Sequence, residues 1–163
     1  MKIKTIHQDL KVYSSIDELE AYERDLISKA ISFLDLSYAP YSKFHVATAL
    51  LLENDEVISG ANQENASYPL CLCAERVALH HAAMRHPGVK IKLMALTARN
   101  EDRTDLGPIP PCGACRQVIA EYQEILDCKI RILMKGDQPE ILELSSIEQV
   151  LPLGFNSDFL QSS

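Results

Sequence analysis

Tryptophan is absent from the 163-residue chain, and aromatic residues make up only 6% of it. Any core must therefore be built mainly from aliphatic side chains. Basic residues are few as well: 16 Lys and Arg stand against 23 Asp and Glu, for a net charge of -7. That balance argues against nucleic acid as a partner, which calls for a basic face, and suits a small neutral or cationic molecule. No apolar run approaches the ~18 residues of a membrane span. The opening Met1-Lys2-Ile3-Lys4-Thr5-Ile6-His7 has no apolar stretch of the signal-peptide kind. These absences predict a soluble, cytoplasmic protein with no membrane partner. Internal repeats, low-complexity tracts and linkers are also missing, so the length predicts a single domain.

What is present is a set of five cysteines. An odd number without a recognisable secretory signal favours metal binding over a disulfide framework. The periodicity around them outlines the fold. Ser15-Ile16-Asp17-Glu18 is a capping-box pattern that predicts a helix running to about Ser37, with Leu19, Tyr22, Leu26, Ala30 and Phe33 on its apolar face. Strands are predicted at 46–52, 57–61, 91–98, 129–134 and 141–144, and helices at 73–85 and from Gly113 onward. A second capping-box pattern at Ser145-Ser146-Ile147-Glu148 predicts a last short helix. Residues 1–13 carry scattered β-formers that suit a short hairpin or a loose arm. The order of elements predicts an α/β fold: five strands in a mixed sheet, helices on both faces, and the third and fourth strands parallel across a helix.

Two stretches carry the chemistry, Cys73-Ala74-Glu75-Arg76 and Pro111-Cys112-Gly113-Ala114-Cys115. A Cys-x-x-Cys pair alone also occurs in redox dithiols and zinc knuckles. Cys73 at the start of another helix, with a glutamate two residues on, makes the arrangement far more specific. Three thiolates hold zinc and leave a fourth tetrahedral position for water. Helix N-termini favour thiolates, and Arg76 is placed to offset the net charge of three thiolates and Zn²⁺ from the second shell of the metal. A closed structural site would need a fourth ligand, Cys71 or Cys128. The strand-like context of Cys71 and the strand start at Cys128 instead suggest core residues. His80 and His81 lie about two helical turns from Cys73, too far for the same ion. His45 precedes a strand, near enough to approach a pocket.

With the cysteines placed, the chain resembles the small, homotetrameric, zinc-dependent cytidine deaminases. Its markers are Tyr41-Ser42-Lys43-Phe44, Asn62-Gln63-Glu64-Asn65-Ala66-Ser67-Tyr68-Pro69, Cys73-Ala74-Glu75-Arg76 and Pro111-Cys112-Gly113-Ala114-Cys115-Arg116-Gln117. The resemblance implies a three-layer α/β/α sandwich with a five-stranded mixed sheet, a domain spanning 16–163 behind an N-terminal extension of 1–15, and one Zn²⁺ per subunit. It implies hydrolytic deamination of cytidine and 2′-deoxycytidine to uridine and 2′-deoxyuridine, with release of ammonia, in pyrimidine salvage. By the same resemblance, Cys73, Cys112 and Cys115 bind zinc, and Glu75 carries protons between water, N3 and the departing amine. Asn62 and Glu64 hold the ribose, Phe44 lies against the base and Ala74 is a further substrate contact. Ala66, Tyr68 and Phe155 complete a neighbouring subunit's site, so active sites are shared across the tetramer. Alternatives within reach of the same motifs are a deaminase of a modified or antibiotic cytosine nucleoside, a non-catalytic zinc-stabilised binding module, and a nucleic-acid-editing deaminase. Cysteine in place of histidine in the first motif and the acidic charge disfavour the last. Departures from the family pattern are Ala47 and Thr48 in the first strand, Ala61, and Gln63.

Overall fold

Alternating side chains divide the interior into two cores, one on each side of a central sheet. Leu50, Leu52, Met94, Ile132 and Met134 face one way, while Ala49, Leu93, Ala95 and Leu133 face the other. This period of two is what a strand imposes on any sequence apolar at every position. The computed structural model describes residues 1–160. Its strands are β1 (Lys11–Tyr13), β2 (Phe44–Leu52), β3 (Val57–Ala61), β4 (Ile91–Asn100), β5 (Arg131–Lys135) and β6 (Ile141–Leu144). Its helices are α1 (Ala21–Ser32), α2 (Ala74–Arg85) and α3 (Gly113–Ile125). The strands form one six-stranded sheet in the order β1-β6-β5-β4-β2-β3. β4 and β5 are parallel across α3, and the remaining pairs are antiparallel. Ala78, Leu79 and Ala82 of α2 and Ile119 of α3 cover one face, and Leu26, Ile27 and Ala30 of α1 cover the other. The result is the expected α/β/α sandwich, with one strand more than the five predicted.

The extra strand is β1, from the segment read as a short hairpin or a loose arm. Its three residues pair with β6, and buried charge secures them there. Glu143 of β6, only 1% exposed, accepts hydrogen bonds from Lys11 Nζ (3.0 Å), Tyr13 Oη (2.7 Å), and Arg131 Nε (3.2 Å) and Nη2 (2.9 Å). Arg131 also donates to buried Glu23 of α1 at 2.7 Å. Burial pushes the Glu143 carboxyl up, but the bonds from Arg131, Tyr13 and Lys11 outweigh it and hold it at about 2, below the ordinary 4.5. A carboxyl held low in the folded chain stabilises the fold above its ordinary value. That contribution, about 3 kcal/mol, is lost as pH falls from about 4.5 toward about 2. Glu143→Gln should lower the urea midpoint at neutral pH by a corresponding amount and flatten the acid limb of a stability–pH curve over that window.

Helix boundaries also differ from expectation. Ser15 caps a turn, its side chain accepting from Asp17 N rather than pairing reciprocally with Glu18, and only a 3-10 turn, Ile16–Glu18, follows, because Leu19 returns to extended backbone. α1 starts at Ala21, capped reciprocally by Glu20 and Glu23, and ends at Ser32 rather than Ser37. The second capping box is made by Ser146 and Gln149 around a 3-10 turn, Ile147–Gln149, instead of opening a full helix.

One glycine decides how closely α2 approaches the sheet. A Cβ on Gly60 of β3 would stand 2.6 Å from Ala78 N and 2.9 Å from the Ala74 carbonyl oxygen. Those are backbone atoms of α2 with no rotamer to yield. Gly60→Ala should therefore lift the helix from β3, cost about 1–3 kcal/mol in chemical denaturation, and disturb the site at the start of α2.

Candidate active site

The N-termini of α2 and α3 converge beside the sheet. Cys73 is the N-cap of α2 and Cys112 the N-cap of α3, with Cys115 inside the first turn of α3. Cys73 Sγ lies 3.8 Å from Cys112 Sγ, which lies 3.4 Å from Cys115 Sγ, and all three sulfurs fall within 4.8 Å of one another. Tetrahedral zinc with bonds of ~2.3 Å sets sulfurs about 3.8 Å apart. The donor set therefore fits zinc in both softness and spacing. All five cysteines are free thiols. Neither rival fourth ligand joins the cluster: the metal-capable group found among the described residues consists of Cys73, Cys112 and Cys115. Cys128 packs against the core as expected. Cys71 does not: it is half-buried on the wall of the cavity, with its Sγ accepting from Asn65 N at 3.2 Å.

Proton sharing splits the thiols. Hydrogen bonding from Cys115 pulls the Cys73 thiol well below its ordinary value against the opposing effect of burial, with further help from Arg76. Cys115, bonded to Cys73 and buried, is pushed up. Arg76 Nη2 reaches the Cys71 carbonyl at 2.9 Å and Cys73 Sγ at 4.0 Å, so its cation sits against the sulfur cluster. Its Nε is buried without a partner among the described residues.

A cavity of about 450 Å³ opens beside the sulfurs, lined by Cys73, Cys112, Glu75, Phe44, Asn62 and Glu64, among others. Glu75 is 3% exposed, and burial pushes its carboxyl above the usual range, with the nearby Cys73 charge adding to the effect. Asn62 ties the cavity rim together. Its Oδ1 accepts from Ser37 Oγ (2.5 Å) and Val46 N (2.8 Å), and its Nδ2 donates to the Phe44 carbonyl (3.0 Å). One amide hydrogen remains free of these bonds. Glu64 Oε2 accepts from the backbone N–H groups of Tyr41 (2.9 Å) and Ser42 (3.3 Å). Burial raises the Glu64 carboxyl, but bonds from Ser42 and Tyr41 outweigh it and hold it low.

Several residues named from the sequence are not among those lining this cavity. Ala74 is fully buried. Tyr68 is 68% exposed and Phe155 is 55% exposed, and Ala66 is also on the surface. Tyr68 packs against Tyr41, and Phe155 stacks on Phe159 with centroids 5.6 Å apart. Phe155 lines a separate cavity of about 810 Å³ between α3 and the C-terminal segment. His80 contacts Tyr122 Oη at 3.1 Å and His45 pairs with Glu101 at 3.0 Å, so neither joins the sulfurs. The apolar wall of the smaller cavity includes Val46, Leu96, Ile109 and Pro110, which sequence patterns did not single out. Strand alternation marks Val46 and Leu96 as core, and nothing local in the loop before Pro111 marks Ile109.

Paired helix N-termini, three sulfurs and an adjoining buried carboxylate define a zinc enzyme site on an α/β/α scaffold. Comparison with known proteins agrees. The model for the cytidine and deoxycytidylate deaminase zinc-binding region matches residues 21–130. A cytidine deaminase of Halalkalibacterium halodurans is 41% identical over 82% of this chain and 93% of its own length. One of Sporosarcina psychrophila is 38% identical over 83% and 92%. The crystal structure of cytidine deaminase from Burkholderia pseudomallei superposes with a TM-score of 0.70 at 35% identity, covering 84% of this chain and all of that one. The chain belongs to the zinc-binding cytidine and deoxycytidylate deaminase family, and its cofactor is one zinc ion per chain. No helix among the described residues is long and apolar enough to cross a membrane.

Proposed function

We propose that the protein is a zinc-dependent hydrolase that deaminates cytidine and 2′-deoxycytidine to uridine and 2′-deoxyuridine with release of ammonia. The observation that carries this reading is a buried carboxylate, Glu75, on the wall of the same cavity as the sulfur triad. Cys73, Cys112 and Cys115 hold the metal, and Arg76 offsets the charge of their thiolates. Zinc bound there supplies a water whose pKa is lowered to about 7, ready for attack at the pyrimidine C4. Glu75 takes one proton from the attacking water and delivers it to N3, then carries the water's second proton, from the oxygen now on C4, to the departing amine. Burial suits it to this task, since a proton carrier works best with a pKa near the working pH. Phe44 lies against the base. The free N–H of Asn62 and the free Oε1 of Glu64 hold the ribose hydroxyls. With its methyl buried, Ala74 meets substrate through its main chain.

The cavity also favours a free nucleoside over a nucleotide. Among the described residues no Lys or Arg lines it, whereas Glu64 and Glu75 do, so a phosphate would meet carboxylates with no cation on the cavity wall to pair with. We infer further that the active protein is a homotetramer in the cytoplasm, serving pyrimidine salvage. Exposed Tyr68 and Phe155, with Ala66, supply parts of a neighbouring copy's cavity. Thiolate ligands and free cysteines suit a reducing compartment. Residues 16–163 form the catalytic domain, and the extension before them ends in β1. The test is the ultraviolet absorbance of cytidine and 2′-deoxycytidine mixed with zinc-loaded protein, with ammonia assayed in parallel. Loss of absorbance with stoichiometric ammonia is expected; unchanged absorbance with both nucleosides would reject the reading.

A further inference from the structure

We propose that Arg116 and Gln117 are positioning residues that join the zinc-bearing turn to the C-terminal segment, so that the metal and that segment are held as one unit. This rests on the zinc site proposed above. Arg116 and Gln117 follow directly after Cys115 on α3. Arg116 Nε donates to the Pro111 carbonyl at 2.8 Å, and its Nη1 donates to the Val150 carbonyl at 2.9 Å. One rigid, planar guanidinium thus spans the residue before Cys112 and the end of the turn from which the C-terminal segment departs. A fork of fixed geometry sets the distance between its two acceptors, which a lysine ammonium on a flexible stem does not. The Gln117 Nε2 donates to the Phe155 carbonyl at 2.8 Å. Two helical turns further along α3, Glu124 accepts from the Ser157 hydroxyl.

The segment beyond Val150 has little burial of its own to hold it. Leu153 is 90% exposed, Phe155 and Phe159 are exposed, and Leu153 carries a positive φ of 61°. Chain segments with few buried contacts open at low free energy. Within one chain, polar hooks from α3 therefore do most of the holding, and the Arg116 guanidinium bonds a carbonyl of the zinc-bearing turn as well as the one at Val150. Freeing Val150 should free the turn at Pro111 as well. Freeing Phe155 alone should leave the turn unchanged.

The test compares zinc-loaded full-length protein with its Arg116→Lys and Gln117→Ala variants. Amide exchange is followed over residues 150–157, with β4 as the internal reference, alongside zinc release to a competing chelator and cytidine kinetics. Loss of a charged hydrogen bond corresponds to about a tenfold effect or more. Arg116→Lys is expected to speed exchange over 150–157 and zinc release together, each by about tenfold, with β4 unchanged. Gln117→Ala is expected to speed exchange only around Phe155 and to raise KM with kcat retained, leaving zinc release at the wild-type rate. The proposal is overturned if Arg116→Lys speeds only one of the two processes or neither. It is equally overturned if β4 loosens in step with the tail, which would mark general destabilisation. Exchange and zinc release do not depend on turnover. Their success with a protein inactive on cytidine would sink the deamination reading and leave the coupling standing.

Discussion

Glu75→Gln is expected to bind one zinc per chain and to turn over cytidine at least ~10³-fold more slowly than the wild type. Gln keeps the shape of the side chain and loses its ability to accept and return a proton. The carboxyl is buried at the start of α2 and raised by that burial, so its charge is a cost to the folded chain rather than a support. The variant should consequently melt at the same temperature as the wild type or slightly above it. Retained zinc, retained stability and lost turnover together separate a proton carrier from a metal ligand or a packing residue. Absorbance decay at saturating cytidine, zinc content and thermal unfolding of the same preparation supply the comparison. Near-normal turnover by Glu75→Gln would mean that the proton travels another way, and the assigned mechanism would fail.

Cys115→Ala should have the broader consequence, removing zinc, activity and a large part of the stability at once. Cys115 is fully buried in the first turn of α3, with its sulfur 3.4 Å from that of Cys112. With two thiolates the ion keeps only half of its tetrahedral positions on the protein, and metal binding free energy is also folding free energy where the ligands come from separate elements. Zinc at a thousand times its Kd stabilises the fold by about 4 kcal/mol, which is the order of loss expected. Chelation of the wild type should reproduce the loss and added zinc should reverse it, while the variant stays inactive whatever the zinc concentration. Acid should act in the same direction, because protons compete with the metal for the thiolates. Full zinc content in Cys115→Ala, measured by atomic absorption after gel filtration, would remove Cys115 from the ligand set.

Much of the fold could be read in advance because its signals are short-range. Strand and helix starts around β2, β3, α2 and α3 follow from period and capping within a few residues, and they match closely. The misreadings arise where two local signals compete. Ser15 does cap a turn, yet Glu20 and Glu23 cap the longer helix that follows, and pattern alone does not rank two adjacent boxes. Residues 11–13 carry β-formers, but nothing in their neighbourhood says which strand they join. What draws them into the sheet is Glu143, 130 residues from Tyr13 in sequence.

By itself the sequence determined the chemistry: a Cys-x-x-Cys at one helix start, a Cys-x-Glu at another, and an acidic, Trp-free chain built on aliphatic strands. Those features are local, and helix geometry within a turn or two fixes how the ligands are presented. Only the tertiary structure decided that Cys73 meets Cys112 across 39 residues, that Cys71 lines the cavity while staying out of the cluster, and that Ile109 and Leu96 wall the cavity. It alone turned Tyr68 and Phe155 away from the cavity of their own chain and hooked the C-terminal segment onto α3. The physical reason is that each of these depends on how closely distant backbones approach, as α2 does over Gly60. No window of neighbouring residues records that distance.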